Sequence, residues 1–310
     1  MEKIICVAGP TASGKTKLAV ALAKQYDGEV LSCDSMQLYR GMEIGTAAPT
    51  PDEMQGVPHH MIGVAEPRED FSVGKYVEMA EPILQNILSR GKTCVVCGGT
   101  GLYADSLLLG RSFAPCPSTG VREQLEQEAA QQGIEPLLAR LKSVDPESGA
   151  KLHPSDKRRI IRALEVYLET GETISEHNRK TKLHPPKHEA VWIGLSFENR
   201  QDLYDRIDLR VAKMLEAGLL DEIRALLSSG VPASATAMQA IGYKEYVDCL
   251  TNGSDFDAAT ALVQQRSRNY AKRQLTWLRR NEQIHWILQP QAPDFSAVLQ
   301  EARRNIPFFA

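Results

Sequence analysis

The chain opens on an apolar run, KIICVA, and breaks at once into the glycine-bearing GPTASGKT. The unbroken run predicts a buried strand over Lys3 to Ala8, the glycines a loop over Gly9 to Gly14, and the spacing of apolar positions a helix from Lys15 to Tyr26. A second strand-like run, EVLSCD, ends at Asp34. Further along, a helical pattern from about Val73 to Arg90 leads into KTCVVC and then GGTGLY, which opens another helix. Strands separated by helices predict a parallel sheet, with ligands at the carboxyl ends of its strands.

Near FAPCPSTG the pattern changes and turns helical and polar from about Pro115 to Glu189, closing on the Pro/His/Lys-rich HNRKTKLHPPKHE. The apolar AVWIGLSF then returns to the sheet. Helices follow from about Asn199 to Ser228, then a basic helix near Ala258 to Asn281 and a last short strand, IHWIL.

Composition narrows the class. The 310 residues are 43% hydrophobic and 24% charged, enough for a large core, and no apolar run approaches the ~18 residues of a membrane span. The N-terminus is too short in its apolar part for a secretory signal, so a cytoplasmic protein is expected, with no membrane partner. Six scattered cysteines fit a reducing compartment. Cys94 and Cys97 form a C-x-x-C, but within a strand they face opposite sides and no second pair exists, so buried small hydrophobes are the expectation. The net charge of -3 excludes a global electrostatic case for nucleic acid, and any such case is local.

GPTASGKT satisfies G-x-x-x-x-G-K-[ST] through Gly9, Gly14, Lys15 and Thr16, between a strand and a helix. The loop Gly9, Pro10, Thr11, Ala12, Ser13 and Gly14 turns its backbone N–H groups, which Pro10 lacks, around a phosphate. Lys15 supplies a charge, Thr16 a magnesium ligand, and the helix its positive end. The fold class expected is therefore α/β: a P-loop NTPase-like parallel sheet core flanked by helices, residues 1–114 and 190–310, with an all-helical insertion domain at 115–189. Asp34 is the only carboxylate a strand delivers to the same rim; it is either a catalytic group or a helix N-cap or turn aspartate. Thr100 in GGTGLY is either functional or a helix cap.

Together GPTASGKT, DSMQLYRGMEIGTAAP, PHHMIG, GGTGLY, DKRRIIRALEV, AMQAIGYKE and YAKRQLTW resemble the bacterial tRNA dimethylallyltransferases, also called tRNA isopentenyltransferases, over nearly the whole chain. The resemblance implies that the P-loop holds the pyrophosphate of dimethylallyl diphosphate rather than that of ATP. The prenyl group goes to the exocyclic N6 amine of the adenosine immediately 3′ of the anticodon, position 37. Asp34 is then the base that takes a proton from a weakly nucleophilic amine, and Lys15, the loop amides and Mg2+ on Thr16 answer the charge of the leaving group. By the same resemblance Thr100 sits beside the oxygen bridging prenyl group and diphosphate, and Asp34, Ser35, Met36 and Gln37 meet the target base. Arg122 and Arg162 are candidates for the diphosphate or nearby RNA. At Ile62-Gly63 the chain departs from the family's Ile-Asp, which removes an acid from that position. The chain ends at Ala310 without the Cys/His tail of eukaryotic relatives, so no zinc is expected. A monomer is expected.

An adenosine stacked in an anticodon loop has to be turned out, at a few kcal/mol, so contacts to the rest of the stem-loop are required. The insertion domain is expected to supply some. In DKRRIIRALEVYLE, Arg158 and Arg162 share a helical face above a stripe of Ile161, Leu164 and Leu168, and Arg158, Arg159, Ile160, Ile161 and Arg162 are the expected contacts. In RSRNYAKRQLTWLRR, Arg266, Tyr270, Arg273, Trp277 and Arg280 align, with Arg273 expected on RNA and Trp277 in the core. Arg179, Lys180, Lys182 and Lys187 in the insertion's tail either clamp RNA or form a linker. His59 and His60 point apart, as suits structural roles. Three other readings stay open on residues alone: a small P-loop kinase that turns over ATP, a prenyltransferase of free AMP, and an RNA-binding module without activity.

Overall fold

A computed structural model of the chain describes residues 2–110, 119–183 and 185–306. Cys116, His184 and the Lys182 side chain lie outside what it describes. The first elements are β1 (Ile4–Ala8), α1 (Lys15–Gln25) and β2 (Gly28–Ser32), then two single-turn helices, α2 (Glu43–Thr46) and α3 (Pro51–Met54), and a two-residue strand, β3 (His59–His60). Next come α4 (Val73–Ser89), β4 (Thr93–Gly98) and α5 (Gly101–Leu108).

The strands pair in parallel as one six-stranded sheet, ordered β3-β2-β4-β1-β5-β6 once β5 (Ala190–Phe197) and β6 (Ile284–Gln289) are added. Every residue of β1, β2 and β4 is buried, which is why β1 and most of β4 are apolar without alternation, while β2 buries Glu29 against cationic partners. One face of β1 gives Ile4, Cys6 and Ala8 to a core shared with α4 and α5; the other gives Ile5 and Val7 to a core shared with α1. Cys94 and Cys97 fall on opposite faces, in separate cores, and the five described cysteines are buried and free.

After β5 the chain forms α11 (Arg200–Glu216), α12 (Leu219–Ser228), α13 (Tyr243–Asn252) and the long α14 (Phe256–Leu278), and it adds α15 (Phe295–Arg304) beyond β6. Tyr39 and Met42 join α11–α14 in a third cluster. The elements unforeseen in the pattern include the single-turn α2 and α3, β3, too short for any periodicity, α13, and α15, whose start is marked by an Asp294 cap on the Ser296 amide. Strand β2 stops at Ser32, so Asp34 stands just beyond it rather than at its end.

Residues Met1–Leu109 with Lys187–Ala310 make one compact unit and Gly110–Pro186 a second, so the expected boundaries at 114/115 and 189/190 shift by a few residues. The second unit is helical: α6 (Val121–Gln132), α7 (Glu135–Val144), α8 (Pro146–Lys151), α9 (Lys157–Thr170) and α10 (Ile174–Leu183). Its core takes Leu137, Leu141, Ile160, Ile161 and Leu164. Leu168, expected in that stripe, is exposed, because the cluster stops short of the last turn of α9. The basic tail HNRKTKL is helical within α10, started by reciprocal Thr173 and Glu176 hydrogen bonds. Among the described residues no helix is long and apolar enough to cross a membrane.

Candidate active site

The P-loop leaves β1 where only glycine fits: a Cβ on Gly9 would stand 2.6 Å from the Leu195 carbonyl oxygen. Gly14, at φ 89, occupies the α1 N-cap. Lys15 Nζ donates to the Pro10 carbonyl at 2.7 Å, so the ammonium sits within its own loop, and desolvation pushes its pKa down. The loop is held from outside by α14 and α11. Gln274, buried in α14, accepts from the Thr11 amide at 2.9 Å and donates to the Gly99 carbonyl at 3.0 Å, while Arg206 donates to the Ala12 carbonyl at 3.2 Å.

A cavity of about 330 Å³ opens at the carboxyl ends of the strands, with Lys15 and Thr16, Asp34 to Gln37 and Gly98 on its walls. The opposite wall comes from α11 and α14: Arg210, Tyr270 and Arg273 are polar, Ile207, Val211 and Val263 apolar. A second cleft of about 630 Å³, lined by Ser13, Lys17, Arg206 and Lys213 among others, shares Lys15, Thr16 and Arg210 with it. Arg210 is in no ion pair among the described residues; burial pushes its pKa down while Asp34 pushes it up. Burial likewise lifts the Tyr270 phenol to about 12, so it stays neutral.

Asp34 does form a turn: its Oδ1 accepts from the Met36 amide at 2.9 Å, which fixes the carboxylate beside the cavity. Thr100 holds the N-cap position of α5, but its side chain does not cap the helix. The hydroxyl instead accepts from the Ser35 amide at 3.1 Å and donates to the Ser35 hydroxyl at 3.3 Å, tying the GGT loop to the segment that carries Asp34. Gln37 accepts from Ser32 Oγ at 3.1 Å and donates to the Ala47 carbonyl at 3.2 Å. Gly63, where the chain departs from the family's acid, has φ 59 and donates its amide to the Gln37 carbonyl at 2.9 Å. His59 Nδ1 lies 2.8 Å from the Val57 carbonyl and His60 Nε2 2.8 Å from Glu29. No group of three or more potential metal ligands occurs among the described residues. Thr16 on the cavity wall nevertheless suits Mg2+, which takes one or two protein oxygens and completes its shell with substrate phosphates and water.

The expected RNA contacts separate. Ile160 and Ile161 are 0% and 2% exposed in the core of the helical unit, where their side chains form its apolar stripe. Arg122 and Arg162 both point at the buried Glu165, at 3.6 and 2.9 Å, and serve the helical unit. Lys157, Arg158 and Arg159 are exposed, with no carboxylate partner among the described residues. Arg273 lines the cavity with its guanidinium 5.6 Å from the Tyr270 ring. On the same helix Arg266 is paired with Glu245 and Arg268 with Asp208. Trp277 is half-buried rather than core: its indole donates to Asp105 at 2.9 Å and its ring leaves no space for a side chain at Gly101. Arg206, Arg210 and Gln274 escaped the sequence reading, although Arg206, Arg210 and Lys213 stand at helical spacing, a signal that was available.

The profile of the IPP transferase family matches residues 37–281. The chain belongs to this family. A second profile, of isopentenyl transferases, matches residues 2–62, and the chain is accordingly a transferase. It is 43% identical to the tRNA dimethylallyltransferase of Acetivibrio thermocellus over 100% of this chain and 99% of that one. The Geobacillus thermodenitrificans enzyme of the same name is 45% identical over 98% of this chain and 96% of that one. Among solved structures, the full-length tRNA isopentenylpyrophosphate transferase of Bacillus halodurans gives a TM-score of 0.73 at 39% identity, covering 98% of this chain and 95% of that one. A eukaryotic dimethylallyltransferase acting on tRNA gives 0.83 at 28% identity, covering 98% and 77%. The six-stranded parallel sheet with its flanking helices thus matches the fold of those transferases.

Proposed function

We propose that this chain transfers the dimethylallyl group of dimethylallyl diphosphate to the N6 amine of adenosine 37 in tRNA, releasing diphosphate. The observation that carries this reading is the single cavity in which a P-loop, a fixed aspartate and the side chains of Ser35 and Gln37 meet. That arrangement supports a leaving group held on the P-loop with a nucleophile beside the aspartate.

The diphosphate rests against the loop amides, Lys15 and Arg210, donors already in place where negative charge accumulates as the allylic C–O bond breaks. Thr16 is the residue that would hold Mg2+, whose charge would add to that stabilisation. The N6 lone pair forms the new bond to C1, and the C1–O electrons depart on the bridging oxygen. Asp34 accepts the proton that N6 loses, its free oxygen being available because the Met36 amide occupies Oδ1. The Thr100 hydroxyl turns from Ser35 toward the bridging oxygen. Apolar Ile207, Val211 and Val263 exclude water from an electrophile that would otherwise hydrolyse. Lys157, Arg158, Arg159 and Arg273 meet RNA phosphates and offset the cost of turning out the base.

The test is a paired assay on an unmodified anticodon stem-loop with adenosine at position 37. Labelled dimethylallyl diphosphate with Mg2+ is supplied in one reaction and γ-labelled ATP in the other. Label entering RNA from the prenyl donor alone is expected. ATP consumption without prenyl transfer would return the chain to the kinases.

A further inference from the structure

Two motifs, GMEIGTAAP and AMQAIGYKE, supply cavity walls but no group that reacts, and they meet at Glu222 of α12. Three donors converge on its carboxylate: the Ile44 amide at 2.8 Å and the Gly45 amide at 3.0 Å, both from α2, and the Tyr243 hydroxyl at 2.6 Å, from the start of α13. No Lys or Arg pairs with Glu222 among the described residues, so these donors alone satisfy it. Tyr243 is fully buried, and a Cβ on Gly45 would stand 2.6 Å from its phenol oxygen. Gly45 is therefore pressed flat on the ring. The two residues that follow, Thr46 and Ala47, line the cavity, and their carbonyls accept from the Gln37 side-chain amide at 3.5 and 3.2 Å.

We infer that Glu222, braced by Tyr243, is a positioning residue for the acceptor base: it sets the Gly45–Ala47 wall, and the wall sets the orientation of the Gln37 amide. A carboxylate is required because it offers acceptors only, whereas a glutamine at 222 would turn an NH2 group toward donors already there. The inference rests on the reading that Gln37 contacts the target adenine. Glu222 is absent from the cavity lining, so it acts through the wall and not on a substrate.

The experiment is a double-mutant cycle between Glu222→Gln and Gln37→Ala, with KM measured separately for the stem-loop and for dimethylallyl diphosphate. Each single variant is expected to raise the stem-loop KM about tenfold and leave the diphosphate KM unchanged. The double variant is expected to be no worse than Gln37→Ala. Tyr243→Phe, which removes one hydroxyl and keeps the ring under Gly45, should shift the stem-loop KM the same way by less, and it guards against a folding defect in Glu222→Gln. Additive effects, or an equal rise in both KM values, would overturn the positioning role. A silent Gln37→Ala would instead sink the base-contact reading, and this inference with it.

Discussion

Gln274 holds the Thr11 amide of the P-loop from the far side of the sheet's rim, with its Oε1 2.9 Å from that nitrogen and its Nε2 3.0 Å from the Gly99 carbonyl. One side chain thereby fixes the spacing of the phosphate loop and the GGT loop. Gln274→Ala releases both and leaves two loop groups without partners. The expected outcome is a KM for dimethylallyl diphosphate raised about tenfold with the KM for RNA unchanged. Steady-state kinetics with each substrate varied in turn measures this, and an unaltered diphosphate KM would refute the role.

Asp34→Asn keeps an oxygen for the Met36 amide, so the turn that aims the side chain survives. What disappears is the capacity to take a proton. Single-turnover transfer should fall by ~10²- to 10⁴-fold while stem-loop and diphosphate binding persist. Near-normal turnover would assign the base elsewhere.

The basic residues divide by partner. Arg159→Ala, at an exposed side chain with no carboxylate partner among the described residues, should weaken stem-loop binding and reduce the slope of log K against log salt by about 1. Arg268→Ala breaks contacts of 2.6 and 2.7 Å to Asp208, so it should cost about 1 kcal/mol of stability and leave the salt slope alone. Equal slopes for both variants would contradict the division.

Glu29, in β2, is 4% exposed and receives Arg90 at 2.6 and 2.8 Å, His60 at 2.8 Å and Lys92 at 3.3 Å. The Arg90 hydrogen bonds, foremost, hold its carboxyl down from 4.5 to about 2. The folded value lies below the unfolded one, so the stabilisation is complete above pH 4.5 and is lost as pH falls through about 2. Glu29→Gln should cost about 2–3 kcal/mol at pH 7, and the gap to the parent should narrow between pH 4 and pH 2. Urea unfolding at the two extremes decides it; a constant gap would mean the charge is immaterial.

Local patterns made the P-loop, the parallel core strands and the helical insertion legible. Gly9, Gly14, Lys15 and Thr16 fall within the single stretch Gly9–Thr16, and β1 and most of β4 are apolar because each is buried on both faces. Along α9 the apolar spacing held for Ile161 and Leu164, which are buried beside a run of arginines, and went wrong at Leu168, which is exposed because the cluster stops short of the helix's last turn.

By itself the sequence determined the phosphate loop, the family and the candidates Asp34 and Thr100, because each depends on residues close together in the chain. Only the tertiary structure decided which groups stand opposite them. Gln274 meets Thr11 across 263 positions and Glu222 meets Ile44 across 178, and no periodicity encodes a hydrogen bond between elements so far apart. Likewise only the fold distinguishes Arg268, spent on Asp208, from Arg159, left to solvent: a charge's role depends on whether packing brings an opposite charge to it.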